Sequence, residues 1–224
     1  MCGRFTLSRQ DAGQLALELG VEPGALLDYR PRYNIAPTDQ HWVLRMKYED
    51  RELLPATWGL VNSWARDAKR AAQQINARAE TLTTKPAFRE AFAQRRCVVP
   101  ADGFFEWTGP KTARQPLWFH RPESGLLLFA GLYEYWQPEP RLWQRTFTIV
   151  TTEANRVVGA VHDRMPVILP EDLVDGWLDP RKEDTEKLRG LLVPARDDLL
   201  VATPVSPRAN SVKNDDPSVL EPVA

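Results

Sequence analysis

Apolar and polar positions change period several times along the chain, and each change marks an element. Ala12, Leu15, Ala16 and Leu19 recur at helical spacing, and Gly20 closes the run. Ser8-Arg9-Gln10-Asp11 ahead of them resembles a capping box with Ser8 as the N-cap. The residues before it, 2–7, read as an extended segment half buried through Phe5 and Leu7. Residues 30–37 carry two prolines and read as a loop. Residues 41–47 and 52–58 read as paired strands around Glu49-Asp50. A polar, basic surface loop with a helical part follows, and Pro86 opens a helix. From Arg96 the pattern turns to strands at 97–100, 104–107, 117–119, 126–135 and 147–151, separated by Gly and Pro turns. A short helix is expected to begin at 152–155, a strand at 167–169, helix through most of 171–193 and a late strand at 199–202. Many short strands with few helices predict an α+β fold around a curved mixed or antiparallel sheet or barrel, with peripheral helices. One domain over residues 1–224 is expected, with a tail from about residue 206.

Composition changes this picture little. The chain has 224 residues, 43% hydrophobic and 26% charged, which suits a globular protein with a sizeable core. No apolar run approaches the roughly 20 residues of a membrane span, so no membrane partner is expected. The pattern after Arg4 and Arg9 is amphipathic, unlike a signal peptide. Cys2 and Cys97 lie far apart and give neither zinc nor redox spacing. A reducing, intracellular compartment is therefore the expectation, cytoplasmic and nucleoid-associated if the chain is bacterial; a monomer without metal or cofactor is expected as well. Net charge is −1, but its distribution is uneven. Residues 61–89 hold six bases (Arg66, Lys69, Arg70, Arg78, Lys85 and Arg89) against two acids, while residues 171–189 hold seven acids against four bases. A basic face on a nearly neutral chain is compatible with phosphate contact; a solvated mixed-charge surface explains it equally well.

The candidate chemistry starts at the second residue. A small residue after Met1 favours aminopeptidase trimming, which would leave Cys2 with a free α-amine beside its thiol. Such a 1,2-aminothiol condenses with aldehydes, first as an imine and then as a thiazolidine. The amine, with an ordinary pKa of about 7.7–8.0, is partly unprotonated at neutral pH. From position alone a plain buried strand residue is the commoner reading of Cys2, and the polar motifs further along shift the balance. Polar groups that interrupt apolar runs supply possible partners. Asn76, Arg78 and Glu80 alternate with alanines and would share one face of a strand. Asp102 and Glu106 flank aromatics, where a carboxyl can be desolvated into a useful acid/base range. His162-Asp163-Arg164 and Lys213-Asn214-Asp215 complete the set.

Taken together, Met1-Cys2-Gly3-Arg4-Phe5, Arg32-Tyr33-Asn34-Ile35-Ala36-Pro37, Trp58-Gly59-Leu60, Asn76-Ala77-Arg78-Ala79-Glu80, Asp102-Gly103-Phe104-Phe105-Glu106-Trp107, His162-Asp163-Arg164-Met165-Pro166 and Val212-Lys213-Asn214-Asp215 resemble the SRAP (SOS response-associated peptidase) family, in the family's order and across nearly the whole chain. The resemblance implies a sensor of abasic sites in single-stranded DNA. In that family the matured cysteine forms a thiazolidine crosslink to the ring-opened sugar. Carried over, Cys2 is the nucleophile, Asn76 orients its amine and the sugar, Glu106 is the acid/base, and His162 stabilises the open sugar. Arg4, Arg78 and Arg164 would contact phosphates, and Trp58 and Trp64 would stack on bases. Val61-Asn62-Ser63-Trp64 departs from the Pro-Gly-Trp-type sequence common in bacterial members, and Arg66, Lys69 and Arg70 would compensate through charge. The family's labels also imply lyase side chemistry and self-removal of Met1. Two other classes remain open from the residues themselves. One is an N-terminal-nucleophile amidohydrolase using the Cys2 thiol; the other is a single-strand binding module in which Cys2 is incidental.

Overall fold

The computed structural model describes residues 2–69, 71–182 and 185–223. Its strands are β1 (Phe5–Leu7), β2 (Arg32–Ile35), β3 (Gln40–Lys47), β4 (Asp50–Trp58), β5 (Asn76–Arg78), β6 (Arg96–Ala101), β7 (Gly103–Thr108), β8 (Gln115–His120), β9 (Leu127–Glu139), β10 (Leu142–Glu153), β11 (Arg164–Pro166) and β12 (Val201–Pro204). The α-helices are α1 (Ala12–Leu19), α2 (Pro86–Gln94), α3 (Arg156–Gly159), α4 (Val174–Leu178) and α5 (Thr185–Arg189).

Five strands close on themselves in the order β10-β4-β3-β6-β9, with β9 returning to β10. The β4–β10 contact is parallel and the other four pairings are antiparallel, so this is a mixed barrel. β5 joins β10 in parallel and β11 joins it antiparallel beyond the ring. A second, antiparallel sheet runs β12-β8-β7-β1-β2. The α+β expectation of a curved sheet or barrel with peripheral helices holds.

The two sheets meet over aromatic residues. Phe5 of β1 is fully buried, with its ring edge-on to His41 at 4.8 Å, Trp58 at 5.0 Å and Phe129 at 6.2 Å. Trp58 in turn stacks on Phe147 of β10 at 6.3 Å. Burying a phenylalanine stabilises by roughly 1.5–3 kcal/mol, with the edge-to-face contacts adding to this. The strand carrying Phe5 is also fixed through its backbone. Asp102 N–H donates to the Thr6 carbonyl at 2.9 Å, and Phe105 N–H to the Arg4 carbonyl at 3.0 Å. Asp102 accepts from Ser8 Oγ at 2.8 Å and from the Thr6 hydroxyl.

Several elements differ from the sequence pattern. Ser8 is engaged with Asp102, so the N-cap of α1 is Asp11, which accepts from Gln14 N–H; Gly20 is left-handed and closes the helix as expected. The proline-flanked segment 30–37 contains β2, which pairs antiparallel with β1 and is also tied to the tail. Tyr33 and Asn34 N–H donate to Asp215 at 2.6 and 2.8 Å, and Arg32 pairs with the same carboxylate. β10 extends through Glu153, so the next helix starts later, capped by Asn155. The strand expected at 167–169 is β11 at 164–166, and the helical stretch 171–193 breaks into short pieces. The residues from 206 onward pack on the outer face of the second sheet, where Val205, Ala209 and Val219 bury Phe105.

Substituting Phe5→Ala should cost about 3–5 kcal/mol in urea denaturation. It should also make Cys2 label with a thiol reagent in the native state, mapped by mass spectrometry, whereas wild-type Cys2 resists.

Candidate active site

The candidate site surrounds the segment ahead of β1, where Cys2 meets Asn76 of β5. Phe5 fixes the chain, and three residues earlier Cys2 is completely buried. Its carbonyl accepts from Asn76 Nδ2 at 2.8 Å, and its thiol leans 3.8 Å from the Arg4 carbonyl. Asn76 is placed by the parallel pairing of β5 with β10, Asn76 opposite Ile149 and Arg78 opposite Thr151. The Asn76 Oδ1 atom is buried and accepts no hydrogen bond among the described residues. Gly59 lets the preceding loop approach closely: its φ is +124°, and a Cβ there would stand 2.7 Å from the Ala71 carbonyl oxygen.

Glu106 projects from β7, and burial pushes its carboxyl above the ordinary range, an effect that a charged His162 opposes. Burial also raises the Cys2 thiol, and the Glu106 charge raises it further. These mutual effects place Cys2, Glu106 and His162 within one electrostatic neighbourhood. His162 Nδ1 accepts the Arg164 N–H at 3.0 Å, which in the neutral ring leaves the proton on Nε2. The Asp163 carboxylate lies 3.0 Å from the same nitrogen and would pair with it once the ring is charged.

The expected DNA-contact residues divide. Arg78 is exposed on the face of β5 that carries Asn76. Trp64, 67% exposed, stands with Arg66 and Lys69 on the loop after Leu60, which the Trp136 indole holds through the Ala65 carbonyl at 2.8 Å. Arg70 lies outside the described residues. Trp58 does not reach the surface: it is fully buried, donates to the Ile75 carbonyl at 2.9 Å, and has no face left for a base. Arg164 is also drawn inward. It grips both Glu80 oxygens at 2.6 and 3.0 Å and the Thr151 carbonyl at 2.7 Å, which occupies it away from solvent. Arg4 donates to Asn34 Oδ1 at 2.7 Å and to the Ala209 carbonyl at 3.0 Å, and lies over the Trp107 ring at 5.4 Å. Asn34 and Asp215 join β2 to the tail, so the Arg-Tyr-Asn and Lys-Asn-Asp motifs serve a clasp that orients Arg4. Spacing does not reveal the Glu80–Arg164 pair, because its partners sit 84 residues apart.

Arg164 hydrogen bonding is the leading influence that holds Glu80 below its ordinary pKa. A depressed carboxylate stabilises above its unfolded value, about 4.3, and that contribution fades as pH falls through the lower folded value. Glu80→Gln should therefore cost about 1–2 kcal/mol at pH 7, discounted for the half-exposed carboxylate, and the difference from wild type in urea titrations should shrink at acid pH.

Residues 1–212 match the family model for SOS response associated peptidase (SRAP). The abasic site processing protein YoqW of Bacillus subtilis is 39% identical over 99% of both chains. The abasic site processing protein HMCES of Gallus gallus is 32% identical over 87% of this chain and 67% of its own length. A crystal structure of a protein from Bacteroides thetaiotaomicron superposes over the whole of both chains with a TM-score of 0.87 at 24% identity, a likeness of fold. A phage-related protein from Bordetella bronchiseptica superposes over 91% of this chain and 94% of its own with a TM-score of 0.69 at 30% identity. With the family model matching nearly throughout and a relative 39% identical over almost the whole of both chains, the chain belongs to the SRAP family.

Proposed function

We propose that this protein captures ring-opened abasic sites in single-stranded DNA as a thiazolidine on Cys2, acting as a monomer once Met1 is removed. The relatives named as abasic site processing proteins support the substrate. The observation that carries the chemistry is the cluster itself: a Cys2 main chain tethered by Asn76, beside a burial-raised Glu106 carboxyl.

The freed α-amine attacks the sugar aldehyde, and the carbinolamine loses water to give an imine. Glu106, protonated more readily than an ordinary carboxyl, donates to the departing oxygen. The Cys2 sulfur then adds to the imine carbon, its proton passes to the nitrogen, and the five-membered ring closes. One water leaves in all. The Asn76 Oδ1 acceptor suits an N–H of the reacting amine, and the His162 Nε2–H suits the sugar oxygen. If closure by sulfur fails, the imine acidifies the adjacent sugar carbon and β-elimination opens the strand, which is the lyase side reaction. Self-removal of Met1 is the corresponding peptidase step. Arg78, Arg66 and Lys69 supply charge for phosphates, and Trp64 an exposed ring for a base.

A thiol held protonated by burial is a poor starting nucleophile for amide hydrolysis, which needs the thiolate. It is adequate for a mechanism in which the amine strikes first.

Incubation with abasic single-stranded DNA should give a band that survives denaturing electrophoresis, and Cys2→Ala should abolish it. A band persisting in Cys2→Ala, or none with the wild type, would reject the reading. Glu106→Gln should slow crosslinking by about 10²–10⁴.

A further inference from the structure

The strand that leads from Cys2 is held along its length by little backbone pairing. β1 and β7 share two registered pairs, Phe5 with Phe104 and Thr6 with Gly103. On its other side β1 pairs with β2, and there the register shifts between Phe5 and Leu7. Such an irregularity disrupts a ladder locally and leaves the slide of one strand past its neighbour poorly determined. The Phe5 ring fixes depth rather than slide, because apolar burial has no direction.

One carboxylate supplies what the ladder lacks. Asp102 is buried where β6 of the barrel passes into β7 of the second sheet. Its Oδ2 accepts from the Ser8 N–H at 2.5 Å and from Ser8 Oγ at 2.8 Å, and its Oδ1 accepts from the Thr6 hydroxyl. Its own N–H donates to the Thr6 carbonyl at 2.9 Å. Bonds to an ionised carboxylate are directional and roughly twice as strong as neutral ones. The Thr6 hydroxyl is itself oriented: the Trp118 indole N–H donates to it at 3.2 Å, which leaves its proton for Asp102. Gly103 makes room for that indole, since a Cβ there would stand 2.0 Å from Trp118 Nε1.

This clamp lies equally far along the chain from two groups of the site. Thr6 follows Cys2 by four residues, and Glu106 follows Asp102 by four. The two strands are antiparallel, so any slide at Thr6 passes directly into the separation of Cys2 from Glu106. The bond from the Phe105 N–H to the Arg4 carbonyl, 3.0 Å, carries the register on toward the site. We infer that Asp102 is a positioning residue of the capture reaction: by holding Thr6 and Ser8 it sets the register of β1 against β7, and through it the approach of the Cys2 amine to Glu106. Asp102 acts through the two strands, not on the reacting atoms. The inference rests on the capture reading for the reaction it serves.

A double-mutant cycle on the full chain tests it, read as the rate of crosslink formation at saturating abasic single-stranded DNA. Asp102→Asn keeps the volume but replaces one acceptor oxygen by an NH2 group facing Ser8 or Thr6. It should slow crosslinking about 10- to 100-fold, as a displacement of about 1 Å does. In the Glu106→Gln background the same change should slow it by less than about 3-fold, because no acid is left to misplace. A residue that merely supports the fold would slow both backgrounds equally, or neither. Urea titration gives the native fraction of each variant, by which the rates are corrected. Thr6→Val, which deletes one donor of the clamp, should show the same pattern with a smaller effect, and it carries the test if Asp102→Asn does not fold. Thr6→Ser, which restores the hydroxyl, should return the rate to within about 2-fold of wild type. A wild-type rate in Asp102→Asn, or an equal fold-loss in both backgrounds, would overturn the inference and leave capture by the wild type standing. A wild type that forms no crosslink would instead remove the capture reading, and the inference with it.

Discussion

The structure depends on one buried ring near the amino terminus. Phe5 sits among His41, Trp58 and Phe129, and so joins the first strand of one sheet to the barrel of the other. A chain end ordinarily frays, because its few contacts do not offset its conformational entropy. Here a completely buried aromatic side chain outweighs that cost within three residues of Cys2. The backbone bonds from Asp102 and Phe105 add direction to the anchor. The result is a terminal segment held as firmly as a core strand, which a reaction at an α-amine needs if the amine is to meet its partners in one geometry.

Burial then sets the electrostatics. The same enclosure that fixes Cys2 raises its thiol and raises Glu106, and each effect follows from desolvation of the charged form. A neutral thiol and a readily protonated carboxyl suit carbonyl condensation better than acyl transfer. His41 is a different case. It is buried against the Pro100 carbonyl with its pKa lowered to about 4, so it stays neutral and belongs to the Phe5 cage. The histidine near Glu106 is His162, whose ring nitrogen accepts the Arg164 amide.

Much of this could be read from residues alone. The hairpin of β3 and β4, the helix opened by Pro86 and the strands from Arg96 onward carry local signals of period and turn chemistry. Cys2 stood out by its place after Met1, and Asn76, Glu106 and His162 because they lie in polar clusters that interrupt apolar runs; the family resemblance supplied their roles. What escaped was set by distant partners. β2 forms between two prolines because it pairs with β1, and Asp215 of the distant tail holds two of its amides. Ser8 serves Asp102, so Asp11 takes over the cap. Trp58 lies in a motif that resembles a stacking platform, yet the barrel buries it, and Arg164 turns toward Glu80. A tryptophan or an arginine looks the same in sequence whether it faces solvent or the core, and only the sheet register decides.

The account stands on the amine and the sulfur of residue 2 acting on one carbon. Intact-mass analysis of the conjugate with an abasic oligonucleotide, before and after borohydride, tests this directly. The account predicts a protein part that begins at Cys2, a mass equal to the two reactants less one water, and no change on borohydride treatment, because a thiazolidine has no C=N bond to reduce. A conjugate that retains Met1, or one that takes up two hydrogens under borohydride, would contradict it.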